Sequence, residues 1–224
     1  MLIDPLLEPM KAIIADDHPL FRGALRQAVQ SVIDGDIFEA ENFEQTMALM
    51  EEHPEVDIVF LDLNMPGNEG FTGLSALRNA YPSIQAVMVS AEENPTIIRK
   101  ALDFGASGYI PKSSDLNDIA NAISVILDGE LWLPDGVKEK VDGIQNEEGQ
   151  AFAKKLDQLT PHQFRVLKLV ADGLLNKQIA YELEVQETTI KQHMSAILKK
   201  LGVFNRTQAG IIFKQVMEFE PLDS

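Results

Sequence analysis

Residues 11–128 repeat one unit five times: a short apolar run followed by an amphipathic stretch of helical period. This alternation restricts the fold more than any other feature of the chain. The runs at 11–15, 37–40, 57–61, 84–89 and 108–110 are too short for helices and rich in Ile, Val and Phe, so they read as strands. They are apolar on both alternate positions, which means both faces are buried. Strands of that kind separated by helices form a parallel sheet covered on both sides, a doubly wound α/β fold with five strands. In such sheets the ligand site lies beyond the carboxyl ends of the strands, where the strand order reverses. Asp16, Asp17, Asp62, Ser90 and Lys112 all fall at or just past strand ends.

The pattern stops near residue 130. Residues 134–155 are polar, carry three glycines and hold no sustained apolar period, so they read as a linker that becomes helical toward its end. From about residue 156 only helical periods remain, at 161–171, 177–183, 187–201 and 206–219. The expected organisation is a domain over 9–130, a linker over 131–155 and an all-α four-helix domain over 156–219. The charge follows the same division. Residues 1–130 hold 22 acidic against 7 basic side chains, and residues 156–214 hold 5 against 8, within a chain of net charge −16. An acidic front half repels a phosphate backbone, so nucleic-acid binding is expected of the back half alone. No apolar run approaches the roughly 20 residues that span a bilayer. The start, MLIDPLLEPM, lacks the basic beginning and uninterrupted apolar centre of a secretion signal. With no cysteine in the chain, the expectation is a cytoplasmic protein without a membrane segment.

If the first and third strands are neighbours, Asp16 and Asp17 of "IIADDH" stand beside Asp62 of "FLDLNMPG". Three carboxylates so close repel one another unless a cation is shared. Mg²⁺ suits such a set, because it takes oxygen ligands and is held by one or two carboxylates plus phosphate oxygens. Lys112 offers a point charge and Ser90 a hydroxyl to an arriving anion. The group expected is therefore phosphoryl. His18 follows the acidic pair, but Mg²⁺ prefers oxygen, so His18 is read as starting the first helix ahead of Pro19.

The acidic pair, "FLDLNMPG", "MVSAEE" and "DFGASGYIPK", in that order, resemble the receiver domain of response regulators. The resemblance implies that Asp62 is the phosphoacceptor, forming an acyl phosphate. It implies that Asp17 ligates Mg²⁺ directly, Asp16 largely through water, and the backbone carbonyl of Asn64 completes the protein ligands. Lys112 and Ser90 would contact the phosphoryl oxygens, and Tyr109 would change rotamer when Ser90 moves. One departure is local: Pro111 precedes Lys112 where the family often has Pro after the Lys, which removes the possibility of a cis Lys-Pro bond.

Residues 159–208 contain two helices joined by a short turn within the four-helix pattern, with Ile179, Ala180, Leu183, Val185, Ile190 and Ile197 as the expected shared core. The second helix then presents Thr189, Lys191, Gln192 and Ser195. This segment resembles the LuxR-type (NarL/FixJ) DNA-binding domain. In a helix-turn-helix that face enters the major groove of double-stranded DNA, where Lys donates to guanine and Gln pairs with adenine. Lys199 is expected on phosphate. Leu175 and Gln186 stand where the family usually caps a helix with Ser or Thr, leaving Asn176 and Thr188 as expected substitutes, and Gln163 replaces the usual Glu. Ala209, Ile212, Phe213 and Val216 form an apolar stripe on the last helix, read as a homodimer face, with packing on the domain's own first helix as the alternative.

The expected function is a two-component transcriptional regulator. A sensor histidine kinase would phosphorylate Asp62, and the change would free or dimerise the C-terminal domain for DNA. Two alternatives belong to other classes. A phosphatase of the haloacid dehalogenase type needs a second Asp two positions after the nucleophile, and Asn64 stands there, so the chain is read as no enzyme. A partner-binding regulator that works without phosphorylation would not need both Asp62 and Lys112.

Overall fold

The computed structural model describes residues 9–144 and 146–217. The first domain runs β1 (Ala12–Ala15), α1 (Pro19–Gln30), β2 (Ile37–Ala40), α2 (Phe43–Glu52), β3 (Ile58–Asp62), β4 (Asn64–Met65), β5 (Asn68–Glu69), α3 (Thr72–Ala80), β6 (Gln85–Ser90), α4 (Pro95–Asp103), β7 (Gly108–Pro111) and α5 (Leu116–Leu127). Strands β2-β1-β3-β6-β7 make one parallel sheet in that order, and β4 and β5 form a small antiparallel hairpin. The order reverses between β1 and β3, so the expected switch point lies between the acidic pair and Asp62.

Alternation along each strand fills two cores. Ile14, Ile58, Phe60, Val87 and Val89 face α1 and α5, where Leu25, Ile119 and Ile123 meet them. Ile13, Val59, Leu61, Ala86 and Met88 face the opposite way, toward Met50, Leu74, Leu77 and Ile98. The doubly wound sheet is thus as the sequence implies. The hairpin was not legible, because two-residue strands carry no period.

The C-terminal part runs α6 (Lys138–Asp142), α7 (Glu147–Leu156), α8 (Pro161–Ala171), α9 (Asn176–Glu182), α10 (Glu187–Leu201) and α11 (Arg206–Met217). Within what reads as linker, α7 is the helix expected toward its end, and α6 is a second one that carries no sequence signal. Residues 131–133 belong to the sheet end, since Trp132 bridges to Gly108 and its carbonyl accepts from Tyr109 N at 3.3 Å. Residues 218 and 219, the expected end of the last helix, lie outside the described residues.

The second core, on the α2–α4 side, continues without a break into the C-terminal domain through Phe152, Leu156, Leu159, Phe164 and Phe213. Polar bonds tie the same seam. Asn79 Nδ2 donates to the carbonyls of Leu156 (3.4 Å) and Leu159 (2.7 Å), Asn146 Nδ2 donates to Asp103 at 2.7 Å, and Phe71 N donates to Met217 O at 3.1 Å. Among the described residues no helix is long and apolar enough to cross a membrane.

Candidate functional site

Every side chain of the expected acidic site arrives at the carboxyl edge of the sheet. Asp16 and Asp17 follow β1, Asp62 ends β3, Ser90 ends β6 and Lys112 follows β7. Asp62 is 2 % exposed and Asp16 1 %. Lys112 Nζ sits 2.9 Å from Asp62 Oδ2 and 2.6 Å from Asp16 Oδ2, and 5.1 Å from the centre of the Phe21 ring. Asn64 N donates to Asp62 Oδ1 at 3.3 Å. Burial pushes the Asp62 carboxyl above the usual carboxylate range, and the Lys112 ammonium partly offsets that.

The set fits a hard divalent cation. Asp16, Asp17, His18 and Asp62 each offer a ligand atom, all within 4.8 Å of one another. Asp16 Oδ2 and Asp17 Oδ1 are buried oxygens with no hydrogen-bond partner. Lys112 and His18 approach them only as ion-pair neighbours, at 2.6 Å and 2.8 Å. A single lysine against three carboxylates leaves negative charge uncompensated, and buried charge of that kind calls for a cation.

His18 is where the sequence reading stopped short. It does precede α1 as its N-cap, but its backbone N donates to Asp16 Oδ1 at 2.7 Å and its Nδ1 turns back into the cluster, 3.9 Å from Asp62 Oδ2. Two further residues shape the site without a signal in the sequence. Arg22 is buried and donates to the Asp16 carbonyl at 2.7 Å while pairing with Glu39 and Glu41, so it fixes the backbone of the acidic pair. Asn68 Nδ2 donates to the Asp62 carbonyl at 2.5 Å. Both act on backbone atoms, for which residue type gives no signal.

Ser90 is fully buried, and its hydroxyl accepts from Glu92 N at 3.1 Å. Lys112 N donates to the Ser90 carbonyl at 2.8 Å, which ties the two strand ends together. Tyr109 points inward, fully buried, with its hydroxyl donating to the Glu92 carbonyl at 2.7 Å. Burial pushes its phenol up to about 12, against a smaller opposing effect of its Ser90 hydrogen bond. Among the described residues there is no cis peptide bond, so the corner at Lys112 closes with trans geometry.

In the C-terminal domain α9 and α10 form the helix-turn-helix, with Glu184 taking the left-handed conformation (φ 53°) in the turn. Ile190, Met194, Ile197 and Leu201 bury one side of α10, while Lys191, Gln192, Ser195 and Lys199 are exposed on the other and Thr189 is half-buried at its rim. Lys191 pairs with Glu187 at 3.0 Å on the open surface, a contact that costs little to break. Val185, expected in the core, is exposed, because it sits in the turn rather than on a helix face. Capping differs from expectation at Asn176. Neither Leu175 nor Gln186 makes a side-chain cap. Asn176 is drawn off by Arg206 at 2.9 Å, and the Gln178 side chain instead accepts from Leu175 N at 2.7 Å. Gln163 closes a capping box with Thr160 and also accepts from Lys200 at 2.7 Å.

The stripe on α11 is a correction. Ala209 and Phe213 are buried against α8, with the Phe213 ring edge-on to Phe164 at 5.7 Å, and Ile212 and Val216 line the cleft toward α4 and α7. The stripe packs inside the chain and is not a free dimer face. On the outer side Ile211 is 51 % exposed.

Two family models match the chain: the response regulator receiver domain over residues 12–124, and the bacterial regulatory proteins of the luxR family over residues 157–213. The glycerol metabolism activator of Pseudomonas putida is 43 % identical over 89 % of this chain and 92 % of its own length. The nitrate/nitrite response regulator protein NarL of Escherichia coli strain K12 is 33 % identical over 91 % of this chain and 94 % of its own. Among solved structures, RcsB from Salmonella enterica serovar Typhimurium, bound to promoter rprA in the presence of phosphomimetic BeF3⁻, matches with a TM-score of 0.51 at 26 % identity, covering 92 % of this chain and 99 % of that one. With a receiver domain whose acidic pocket lies at the sheet's switch point, and a LuxR-type helix-turn-helix behind it, the chain belongs to the NarL/FixJ family of DNA-binding response regulators.

Proposed function

We propose that a sensor histidine kinase transfers a phosphoryl group to Asp62 and that this acyl phosphate controls DNA binding by the C-terminal domain. The observation that carries the reading is a carboxylate buried at the end of β3, sharing Lys112 with Asp16, where burial without a function would be costly. An Asp62 carboxylate oxygen attacks phosphorus, the bond from phosphorus to the donor's imidazole nitrogen breaks, and the departing nitrogen takes the electron pair. Bound Mg²⁺ supplies charge neutralisation at the phosphoryl oxygens. Asp17 would hold the ion directly, Asp16 mainly through water, and the Asn64 carbonyl and Asp62 would complete the set. Lys112 exchanges a carboxylate oxygen for a phosphoryl oxygen, Ser90 donates its hydroxyl to another, and Tyr109 follows Ser90 as the switch residue. The open face of α10 reads the major groove through Thr189, Lys191, Gln192 and Ser195, with Lys199 on phosphate, as a homodimer on paired half-sites. The RcsB match, solved on a promoter with a phosphate mimic, supports the pairing of the two events.

The test is uptake of labelled phosphate from acetyl phosphate with Mg²⁺. The parent is expected to acquire an alkali- and hydroxylamine-labile label, and Asp62→Asn none, because an amide is a poor nucleophile. Label retained in Asp62→Asn would place the acceptor elsewhere.

A further inference from the structure

The hairpin after Asp62 holds a buried amide that neither the phosphoryl site nor the DNA face uses. Asn68 is 2 % exposed. Its Nδ2 donates to the Asp62 carbonyl at 2.5 Å, and its Oδ1 accepts from Gly73 N at 2.8 Å, satisfying one of the free N–H groups in the first turn of α3. There is no slack on either side: a Cβ on Gly73 would collide with Asn68 Oδ1, and Phe43 closes the space behind. One side chain therefore bolts the strand end that carries Asp62 to the start of α3.

The same helix holds the C-terminal domain. Phe71, which precedes α3, donates its N–H to Met217 O at 3.1 Å, Ser75 approaches Met217 Sδ at 3.8 Å, and Asn79 Nδ2 donates to the Leu156 and Leu159 carbonyls at 3.4 and 2.7 Å. Of the α10 side chains expected on DNA, Lys191, Gln192, Ser195 and Lys199 take no part in this seam and stay exposed. Docking on α3 restrains where the C-terminal domain sits, and leaves the base-reading face open.

We propose that Asn68 is a positioning residue that transmits the chemical state of Asp62 through α3 to the docking of the C-terminal domain. The proposal rests on Asp62 being the phosphoacceptor. Phosphorylation adds roughly one to two negative charges at the end of β3 and gives Lys112 a new partner there, so the strand end must adjust. The Asp62 carbonyl moves with that strand end, and the short bond to Asn68 passes the movement to Gly73 N. A coupling claim needs an element that both sites bias, and α3 is that element.

The experiment is amide exchange on the full chain with and without acetyl phosphate and Mg²⁺, reading the Phe71 amide, with labelled phosphate at Asp62 counted in the same samples. In the parent, phosphorylation is expected to speed Phe71 exchange by about tenfold. In Asn68→Ala the label still enters, and the acceleration falls below about twofold. Gly73→Ala displaces the same amide from the other side and is expected to show the same loss, so the test does not depend on one variant folding. Asn79→Ala loosens the seam without touching the Asp62 strand, and should speed exchange in both states while keeping the ratio. An acceleration that survives intact in Asn68→Ala or Gly73→Ala overturns the inference, as does loss of label in Asn68→Ala, which would put the residue in the chemistry. Label in the parent with no change at Phe71 also overturns it, whereas no label in the parent overturns the phosphoacceptor reading itself.

Discussion

Asp62 is a group that the fold keeps at a cost. Its carboxyl is raised above the ordinary value of 3.8, chiefly by burial, so between that value and its folded pKa the native state binds more protons than the unfolded one. Stability is therefore lost as pH rises through that window, the opposite of the usual ion-paired Asp. Asp62→Asn is expected to melt about 3 °C above the parent at pH 7, an advantage that vanishes below pH 3.8, as thermal melts across pH would record. Mg²⁺ should neutralise charge among Asp16, Asp17 and Asp62 and raise the melting temperature of the parent. Asp17→Ala should lose that gain, and equal stabilisation of mutant and parent by Mg²⁺ would remove Asp17 from the ligand set. At this scale the sequence was most informative about strand-end side chains, because a charged residue after an apolar run is visible in one dimension. It was silent on Arg22 and Asn68, whose partners are carbonyls brought near only by the folded chain.

At the scale of elements, α10 divides cleanly into a buried side and an open one, and the open side carries the predictions on DNA. Lys191→Ala should lower discrimination between target and random DNA by about 1–3 kcal/mol in competition binding, as loss of a base contact does. Lys199→Ala should weaken both alike and flatten the salt dependence by about one unit. Equal loss on both DNAs for Lys191→Ala would remove that residue from base reading. The last helix needs a different pair of variants. Phe213→Ala opens a cavity beside Phe164 and should cost about 3–5 kcal/mol in denaturant unfolding. Ile211→Asp should change stability by no more than about 0.5 kcal/mol. It should still weaken binding to paired half-sites, measured against a single half-site, if the outer face of α11 joins the dimer. Helical spacing marked the apolar stripe of α11 correctly, but periodicity does not say which surface covers a stripe. The same limit left open what covers α7, whose Phe152 and Leu156 are buried where the receiver and α10 both meet that helix.

For the molecule as a whole, the five strand–helix units of the sheet and the four helices behind them were readable in order, whereas the β4–β5 hairpin and α6 were not. How the two domains touch was not readable either. The seam depends on Asn79, Asn146 and the Phe71 backbone, polar groups that look like surface in the sequence and become partners only across domains. An acidic receiver held against a mildly basic DNA-binding domain also sets the electrostatic terms, because net negative charge on the chain opposes approach to a phosphate backbone. The most direct measurement is DNA affinity of the full chain at fixed salt, with and without acetyl phosphate and Mg²⁺, for the parent and for Asp62→Asn. The phosphoryl donor is expected to tighten binding by about tenfold or more in the parent, roughly 1.4 kcal/mol, and to leave Asp62→Asn unchanged. Equal affinity of the parent with and without donor, while Asp62 carries label, would contradict it and leave a DNA-binding regulator that works without phosphorylation.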